Sequence, residues 1–355
     1  ILADDMGLGK TLQTLAFLRA RGGRALVVCP SSLVSNWLAE AARFVPGVKA
    51  VAIEGPKRKT VLADHPDAEL LVTSYALLRL DRDLYRDLEF EVVVLDEAQQ
   101  IKNPEAQVTK AANALQARHR FALTGTPLEN SVRDLWSIMN FVMPGYLGAK
   151  KAFAERFEKP LARGGEPALQ RRLSRRVRPV LLRRLKQDVA TDLPEKIEQV
   201  RYCELTKPQR QVYQSILQES RSLVHDAEGG QKRMVALTAL LRLRQACCDL
   251  RLLGLPDVDP EDSSIKLTEL EELLMEAVAG NHRVLVFSQF VQMLQGLVPL
   301  LAEHQLDYCY LDGRTRNRGE VVARFQESEI PVFLISLKAG GVGLNLTGAD
   351  PVIHL

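Results

Sequence analysis

Short apolar runs alternate with amphipathic segments over roughly the first 125 residues of the chain. The runs lie at 24–30, 48–55, 68–75, 90–98 and 119–127. Between them, residues 11–21 and 33–44 repeat apolar side chains at the three-and-four spacing of a helix. An alternation of strand and helix patterns is typical of a parallel sheet covered by helices. We therefore predict an α/β lobe for this part of the chain.

The strand pattern stops at about residue 128 and returns near residue 283. Helical patterns cover 128–186 and about 207–250, and a loop rich in Pro and Asp follows at 254–264. Strand-like runs then recur at 283–289, 307–313, 331–337 and 351–355. The predicted architecture is an α/β protein of two lobes, each with a helical insertion. The predicted divisions are lobe one at 1–127, a helical insertion and inter-lobe element at 128–186, a linker at 187–205, the insertion of lobe two at 206–264, and lobe two at 265–355.

Composition excludes some classes of protein but does not indicate a function. The chain has 355 residues, of which 46% are hydrophobic and 26% charged, as expected for a globular protein of two domains. The sequence has neither an apolar run long enough to span a bilayer nor a charged-then-apolar leader. The five cysteines form no CxxC pair, so we predict reduced thiols and no structural metal. A net charge of +3 is too small to indicate a nucleic-acid partner.

A glycine-rich turn, DDMGLGKT, precedes the first helical pattern at residues 4–11. Gly7 and Gly9 would let backbone N–H groups close around phosphate oxygens at the start of a helix. Lys10 would then reach the β- and γ-phosphates, and the Thr11 hydroxyl would bind Mg²⁺. Asp4 stands where the general phosphate-loop pattern has Gly, so the match is partial and a glycine-rich helix cap is the alternative.

Two carboxylates follow the apolar strand VVVL, at Asp96 and Glu97. Open α/β sheets place ligands at the carboxyl ends of their strands. Asp96 would hold Mg²⁺ directly or through water, and Glu97 would orient or deprotonate the attacking water. A solvated strand end is the alternative interpretation. Thr124 and Thr126, at the end of the next strand, could sense the γ-phosphate.

Many segments of the chain together resemble the conserved motifs of the Swi/Snf-type ATPases of helicase superfamily two. Motif I corresponds to DDMGLGKT, Ia to LVVCPSSLVSNW, Ib to LVTSYALL, II to LDEAQQIKN, III to LTGTPLENSVRDLWSIMNF, IV to RVLVFSQF, the next motif to YLDGRTRNR, and V to SLKAGGVGLNLTGAD. LLRRLKQDVATDLPEK resembles the family's inter-lobe linker. Asp4 is the residue usual in this family at its position. The resemblance covers essentially the whole chain.

This resemblance implies two RecA-like parallel-sheet lobes with ATP and Mg²⁺ bound between them, and ATP-driven tracking along double-stranded DNA. The implied ATP-binding residues are Asp5, Gly7, Gly9, Lys10 and Thr11, with Lys10, Asp96 and Glu97 catalytic and Thr11 and Asp96 at the metal. The implied coupling residues are Gln99, Thr124, Gly125, Thr126 and Gly343. Gln99 replaces the histidine of many relatives; its amide can still couple to motif III or the other lobe through hydrogen bonds, but it cannot carry charge.

Tracking along a nucleic-acid backbone needs hydroxyl, amide and basic groups that face phosphates. The residues implied for DNA contact are Ser31, Ser32, Ser74, Tyr75, Ser288, Gln289, Lys338, Gly340, Gly341 and Asn345. A helix cap is the alternative role for each serine. Arg183 and Arg184 are expected to have a structural role in the inter-lobe element, where they pack or pair across lobes. Trp37 and Trp136, on helical patterns, are expected to pack in the core.

The function that this resemblance implies is an ATP-dependent double-stranded DNA translocase or remodelling motor. A nucleotide-gated module acting on a protein such as RNA polymerase or another DNA-bound protein, and an RNA-directed helicase, are the alternatives. The motif forms are similar to those of bacterial members, which implies a cytoplasmic, nucleoid-associated protein, or a nuclear one if the source is eukaryotic. The family's adenine-reading segment and motif VI fall outside the sequence, so these 355 residues alone are expected to hydrolyse ATP weakly or not at all.

Overall fold

The chain divides into two units, Ile1–Lys196 and Ile197–Leu355. The computed structural model describes residues 1–125, 132–164, 167–189, 192, 197–255, 260–340, 344 and 346–355. The division falls inside the segment 187–205, for which the sequence predicts a linker. Each unit contains its own parallel sheet, so the α/β class predicted from the sequence is confirmed.

Unit one is built on a five-stranded parallel sheet with the order β2-β3-β1-β4-β5. Its strands are β1 (Ala25–Cys29), β2 (Ala50–Ala52), β3 (Leu70–Ser74), β4 (Glu89–Leu95) and β5 (Gln116–Ala122). Its helices are α1 (Lys10–Arg21), α2 (Val34–Phe44), α3 (Val61–Asp64), α4 (Tyr75–Leu80), α5 (Arg82–Arg86), α6 (Gln107–Asn113), α7 (Val132–Val142), α8 (Lys150–Phe153), α9 (Lys159–Ala162), α10 (Pro167–Val177) and α11 (Lys186–Val189).

Unit two contains a four-stranded parallel sheet with the order β7-β8-β6-β9. Its strands are β6 (Val284–Ser288), β7 (Tyr308–Leu311), β8 (Val332–Ser336) and β9 (Val352–His354). Its helices are α12 (Lys207–Asp226), α13 (Gly229–Cys248), α14 (Pro260–Ser263), α15 (Ile265–Ala279), α16 (Val291–Glu303), α17 (Arg318–Glu327) and α18 (Leu337–Gly340).

The central strands are mostly apolar because both faces of each sheet are covered. Every residue of β1, β3 and β8 is buried, as expected for a parallel sheet between two layers of helices. Strand β5 differs from its prediction: it begins at Gln116, three residues before the expected start, because its backbone pairs with β4 from Glu89 onward. Its early residues are partly exposed, so the sequence shows no apolar run there.

The first residues of the chain extend the sheet of unit one beyond β5. Leu2 forms parallel bridges with Leu123 on one side and Leu182 on the other. Its amide donates to the Ala122 carbonyl at 2.8 Å, and the Ala3 amide donates to the Leu182 carbonyl at 2.7 Å. The inter-lobe segment thus returns alongside the strand that leads into the phosphate loop.

An ion pair with a buried carboxylate fixes this contact. Asp4 is fully buried, and its carboxylate accepts hydrogen bonds from the Arg184 amide at 2.9 Å and from Arg184 Nε at 3.1 Å; Arg184 Nη2 completes the pair. Arg184 Nη2 also donates to Gln13 Oε1 on α1 at 2.7 Å. Arg184 therefore has the structural role expected of it, but its partner lies within unit one. Burial alone would raise the pKa of Asp4, but the hydrogen bonds from Arg184 outweigh burial and lower it.

Among the described residues, no helix combines the length and the apolar character needed to cross a bilayer. The same part of the chain contains no group of three or more His, Cys, Asp or Glu side chains able to hold a metal ion.

We expect Arg184→Met to lower the melting temperature of the protein by several degrees, because it leaves the Asp4 carboxylate buried without its cation. Arg183→Met is the matched control, since Arg183 lies 4.0 Å from the partly exposed Asp5 and should contribute little. The comparison is made by differential scanning calorimetry at neutral pH. Equal effects of the two substitutions would contradict a structural role for the Asp4–Arg184 pair.

The stabilisation from Asp4 should also depend on pH. The folded-state pKa of Asp4 is lowered, so its contribution to stability is present above its ordinary value of about 4 and is lost as pH falls through the lower folded value. The difference in melting temperature between wild type and Arg184→Met should therefore shrink below about pH 4. A difference that stays constant from pH 7 to pH 3 would contradict this assignment.

Candidate nucleotide-binding site

The candidate site residues of unit one lie at one edge of its sheet. Since all strand pairs are parallel, the segments that follow β1, β3, β4 and β5 all leave from the carboxyl edge. The phosphate loop leaves from the same edge, because Leu2 is parallel to Leu123. The topology thus brings together residues that are more than 100 positions apart in the sequence.

The phosphate loop has the backbone of an anion-binding turn. Gly7 and Gly9 have φ of 85° and 73°, values that non-glycine residues rarely adopt. Helix α1 begins at Lys10, with Thr11 partly buried in its first turn. Lys10 Nζ donates to the carbonyls of Asp4 at 2.7 Å and Asp5 at 3.1 Å, which holds the ammonium over the loop. The N–H groups at the start of α1 and the Lys10 charge both favour a phosphate here.

Asp96 is 8% exposed and is held by hydrogen bonds on both carboxylate oxygens. Trp37 Nε1 donates to Asp96 Oδ2 at 2.8 Å, and the Glu97 amide donates to Asp96 Oδ1 at 2.9 Å. The Tyr75 hydroxyl donates to the Asp96 carbonyl at 2.7 Å. The Asp96 amide donates to the Val28 carbonyl at 2.8 Å, so the backbone is fixed as well.

Burial dominates the electrostatics around Asp96. It raises the pKa of the Asp96 carboxyl, and the Trp37 hydrogen bond acts in the opposite direction. Burial likewise raises the pKa of the Tyr75 hydroxyl well above its usual value, and the nearby Asp96 charge adds to the effect. Tyr75 therefore stays protonated and acts as a hydrogen-bond donor.

Glu97 and Gln99 connect the acidic strand end to β5. Gln99 Nε2 donates to Glu97 Oε2 at 2.6 Å, and the Thr124 hydroxyl donates to Gln99 Oε1 at 2.9 Å. Glu97 has φ of 50° and ψ of 54°, a left-handed conformation that is uncommon for a residue with a side chain. The three side chains form a continuous hydrogen-bonded chain from one strand end to the next.

The remaining residues of the predicted coupling set lie in or next to segments that the structure does not describe. A Cβ atom on Gly125 would lie 3.3 Å from Met6 Cγ, so the phosphate loop packs closely on Gly125. Thr126, Gly343, Gly341 and Asn345 lie outside the described residues.

The predicted DNA contacts of unit one separate into exposed and buried residues. Ser31 is exposed and Ser32 partly buried, in the short 3₁₀ turn before α2. Ser74 is buried and accepts a hydrogen bond from the Leu77 amide. This bond gives Ser74 the helix-capping role that is the alternative to DNA contact. The Tyr75 side chain is buried, and its hydroxyl faces inward to Asp96 because Tyr75 opens α4 beside the neighbouring strand end. The expected DNA contact of Tyr75 stays a prediction.

The predicted DNA contacts of unit two also separate into two groups. Gln289 and Lys338 are exposed at the carboxyl ends of β6 and β8. Ser288 is buried, and its hydroxyl accepts from the Phe290 amide at 3.1 Å. A Cβ atom on Gly340 would come within 2.8 Å of Ile335 and Phe287 side-chain atoms. Close packing on the sheet therefore favours glycine at this position, and its expected DNA contact stays a prediction.

Sequence reasoning missed the two side chains that hold Asp96. It placed Trp37 in the core, and the side chain is indeed fully buried, but its hydrogen bond to Asp96 was not anticipated. Helical spacing shows that a tryptophan faces inward but does not identify the acceptor of its N–H group. The only available signal was that a buried indole N–H usually finds a partner.

Two known family domains match the chain. Residues 1–252 match the SNF2-related domain, and residues 265–355 match the helicase conserved C-terminal domain. An uncharacterised ATP-dependent helicase of Mycoplasma genitalium is 36% identical over 100% of this chain and 34% of its own length. The human DNA excision repair protein ERCC-6 is 34% identical over 99% of this chain and 27% of its own length. The chain thus spans about a third or less of these two relatives.

A solved structure matches both units. The Sulfolobus solfataricus SWI2/SNF2 ATPase core in complex with dsDNA is 33% identical, with a TM-score of 0.53 over 99% of this chain and 76% of that one. This match confirms the two RecA-like lobes expected from the sequence resemblance. With the phosphate loop, the acidic strand end and both family domains present in one chain, the protein belongs to the SNF2 family of helicase-related ATPases.

Proposed function

We propose that this protein is an ATP-dependent double-stranded DNA translocase, in which ATP hydrolysis at the carboxyl edge of unit one drives movement along duplex DNA. The observation that carries the proposal is the convergence of the Lys10 loop with Asp96 and Glu97 at one sheet edge. A related SNF2 core has been solved in complex with dsDNA, which supports duplex DNA as the partner.

The residues at this edge suit a nucleotide with a divalent cation. The amides at the start of α1 and the Lys10 ammonium would bind phosphate oxygens. Asp96 Oδ1 and Oδ2 each accept one hydrogen bond and keep further acceptor capacity for a cation or its water. Together with the Thr11 hydroxyl, these oxygens fit Mg²⁺, which prefers oxygen ligands and retains water. A bound Mg²⁺ would neutralise charge on the transferred phosphoryl group.

Glu97 is the residue of this set placed to act on water. Its carboxylate accepts a hydrogen bond from Gln99 on Oε2, which leaves Oε1 for a water molecule. Gln99 cannot take a proton from Glu97, because an amide does not titrate near neutral pH. Glu97 would therefore orient the attacking water and accept its proton, while Gln99 holds the carboxylate in place.

In each unit taken by itself, a DNA backbone would be bound by exposed polar and basic side chains at the carboxyl edge of the sheet. Ser31 in unit one, and Gln289 and Lys338 in unit two, are exposed and can reach phosphate oxygens. Contacts of this kind carry no base information, so binding should depend little on sequence and strongly on salt.

We expect Glu97→Gln in the full-length protein to reduce duplex-stimulated ATP turnover by about 100-fold or more, while nucleotide binding is retained. Lys10→Ala should instead weaken nucleotide binding itself, because it removes the charge that holds the phosphates. Turnover is measured by phosphate release, and binding by titration with a fluorescent ATP analogue. Wild-type turnover that is stimulated by single-stranded RNA but not by duplex DNA would contradict the proposed function.

The hydrogen-bonded chain from Thr124 to Glu97 predicts coupled effects. We expect Thr124→Val and Gln99→Ala each to lower DNA-stimulated turnover. The double variant should lower turnover by less than the product of the two single effects, because both substitutions break the same hydrogen-bonded chain. A double-mutant cycle measures this coupling, which should be about 0.5–3 kcal/mol. Thr109→Val is the matched control, since its buried hydroxyl donates only to the Ile101 and Asn103 carbonyls. Fully additive effects of Thr124→Val and Gln99→Ala would show that the chain does not act as a unit.

A further inference from the structure

The two segments of unit one that carry predicted DNA-contact serines each supply a side chain that holds Asp96. The turn with Ser31 and Ser32 leads into α2, which carries Trp37 on its first turn. Ser74 caps α4, whose first residue is Tyr75. The indole N–H of Trp37 reaches the carboxylate, and the Tyr75 hydroxyl reaches the carbonyl of the same residue.

We propose that Trp37 and Tyr75 are positioning residues that make the orientation of the Asp96 carboxylate depend on these two segments. The inference rests on the proposed function in one respect: it takes the segments after β1 and β3 as the part of unit one that meets DNA. The one polar atom of each side chain is bonded to Asp96, so neither side chain is placed to bind the nucleotide itself. Both act through Asp96.

The hydrogen bond from Trp37 restricts the Asp96 carboxylate because both side chains are buried. Trp37 is 0% exposed and Asp96 is 8% exposed. If the carboxylate turned away, the indole N–H would be left buried without an acceptor, which is unfavourable. With the Glu97 amide on Oδ1 and Trp37 on Oδ2, rotation about the side chain would break both bonds. The carboxylate plane is therefore fixed before any ligand arrives.

Tyr75 restrains the backbone of the same residue. It is 7% exposed, and its hydroxyl donates to the Asp96 carbonyl at 2.7 Å. A shift of the first residue of α4 would therefore displace the backbone of Asp96 through this hydrogen bond. A shift of α2 would pull on Oδ2. Displacement of α2 by a bound phosphate backbone would act on the carboxylate through one hydrogen bond, and displacement of α4 would act on the Asp96 backbone through another.

The chain offers a matched control for each residue. Trp136 is also buried on a helix of unit one, but its indole N–H donates to the Gly148 carbonyl at 3.1 Å. Tyr85 is buried as well, and its hydroxyl donates to the Thr73 hydroxyl at 3.1 Å. Replacing each with Phe removes the same polar atom without touching Asp96.

The first experiment compares Trp37→Phe and Tyr75→Phe with Trp136→Phe and Tyr85→Phe in the full-length protein. The Mg²⁺ concentration that half-saturates binding of a fluorescent ATP analogue is measured without DNA. We expect it to rise by about tenfold or more in the first pair, as for other residues that orient a metal ligand, and to stay close to the wild-type value in the controls. A wild-type value in either test variant, with a wild-type melting temperature, overturns the role of that residue.

The second experiment separates the loss of the indole N–H group from the loss of aromatic volume in Trp37→Phe. Incorporation of 3-benzothienylalanine at position 37 keeps the size of the ring system and replaces the N–H group by sulfur. The same rise in half-saturating Mg²⁺ is expected, and an unchanged value overturns the proposal for Trp37. Because the titration contains no DNA, its outcome is independent of whether duplex DNA stimulates the wild-type enzyme.

The third experiment tests the link to DNA. In Trp136→Phe, Trp37 is the one tryptophan of these 355 residues, so the 355-residue chain reports on the environment of Asp96 by fluorescence. We expect its emission to change on addition of Mg²⁺ with a non-hydrolysable ATP analogue, and to change again on addition of duplex DNA. Emission that responds to the nucleotide but not to DNA overturns the dependence on the DNA-facing segments. Stimulation of ATP turnover by the same duplex, measured in the wild-type full-length protein, separates that result from failure of the proposed function.

Discussion

Parallel pairing of the five strands of unit one is the constraint on which its candidate site depends. In a parallel sheet all carboxyl ends lie at one edge, so the residues after β1, β3, β4 and β5 have to meet there. An antiparallel β5 would place Thr124 at the opposite edge, away from Gln99. The register of β4 with β1, which pairs Leu95 with Val28, then sets how far Asp96 projects beyond the sheet.

The inter-lobe segment contributes to the sheet as well as connecting the units. It returns beside Leu2, and the pair formed by the buried Asp4 carboxylate and Arg184 joins it to the start of the phosphate loop. A buried carboxylate is tolerated only with a hydrogen-bonded partner, so the loop keeps this form only while the segment is docked. The candidate nucleotide site is thereby supported by a residue about 180 positions further along the chain.

The strands and the site edge were predictable from sequence, whereas the contacts that orient the site were not. Buried parallel strands are short continuous apolar runs, and acidic or glycine-rich segments that follow them must lie at the ligand-binding edge. Hydrogen bonds between distant residues leave no such local signal. Trp37 and Asp96 are 59 positions apart, and nothing in the pattern around Tyr75 indicates that its hydroxyl turns inward. The early part of β5 was missed because its partly exposed residues form no apolar run.

The left-handed backbone of Glu97 sets a limit on how stable this site can become. A glycine would adopt φ of 50° with less strain, so the residue that the proposed chemistry requires is not the residue that the fold would favour. Strain of this kind persists only where surrounding contacts impose it; here the Asp96 and Gln99 hydrogen bonds do so. Substitutions selected only for thermal stability would therefore tend to remove the acidic side chain at this position, so stability would oppose the proposed role of Glu97 in turnover at this one residue.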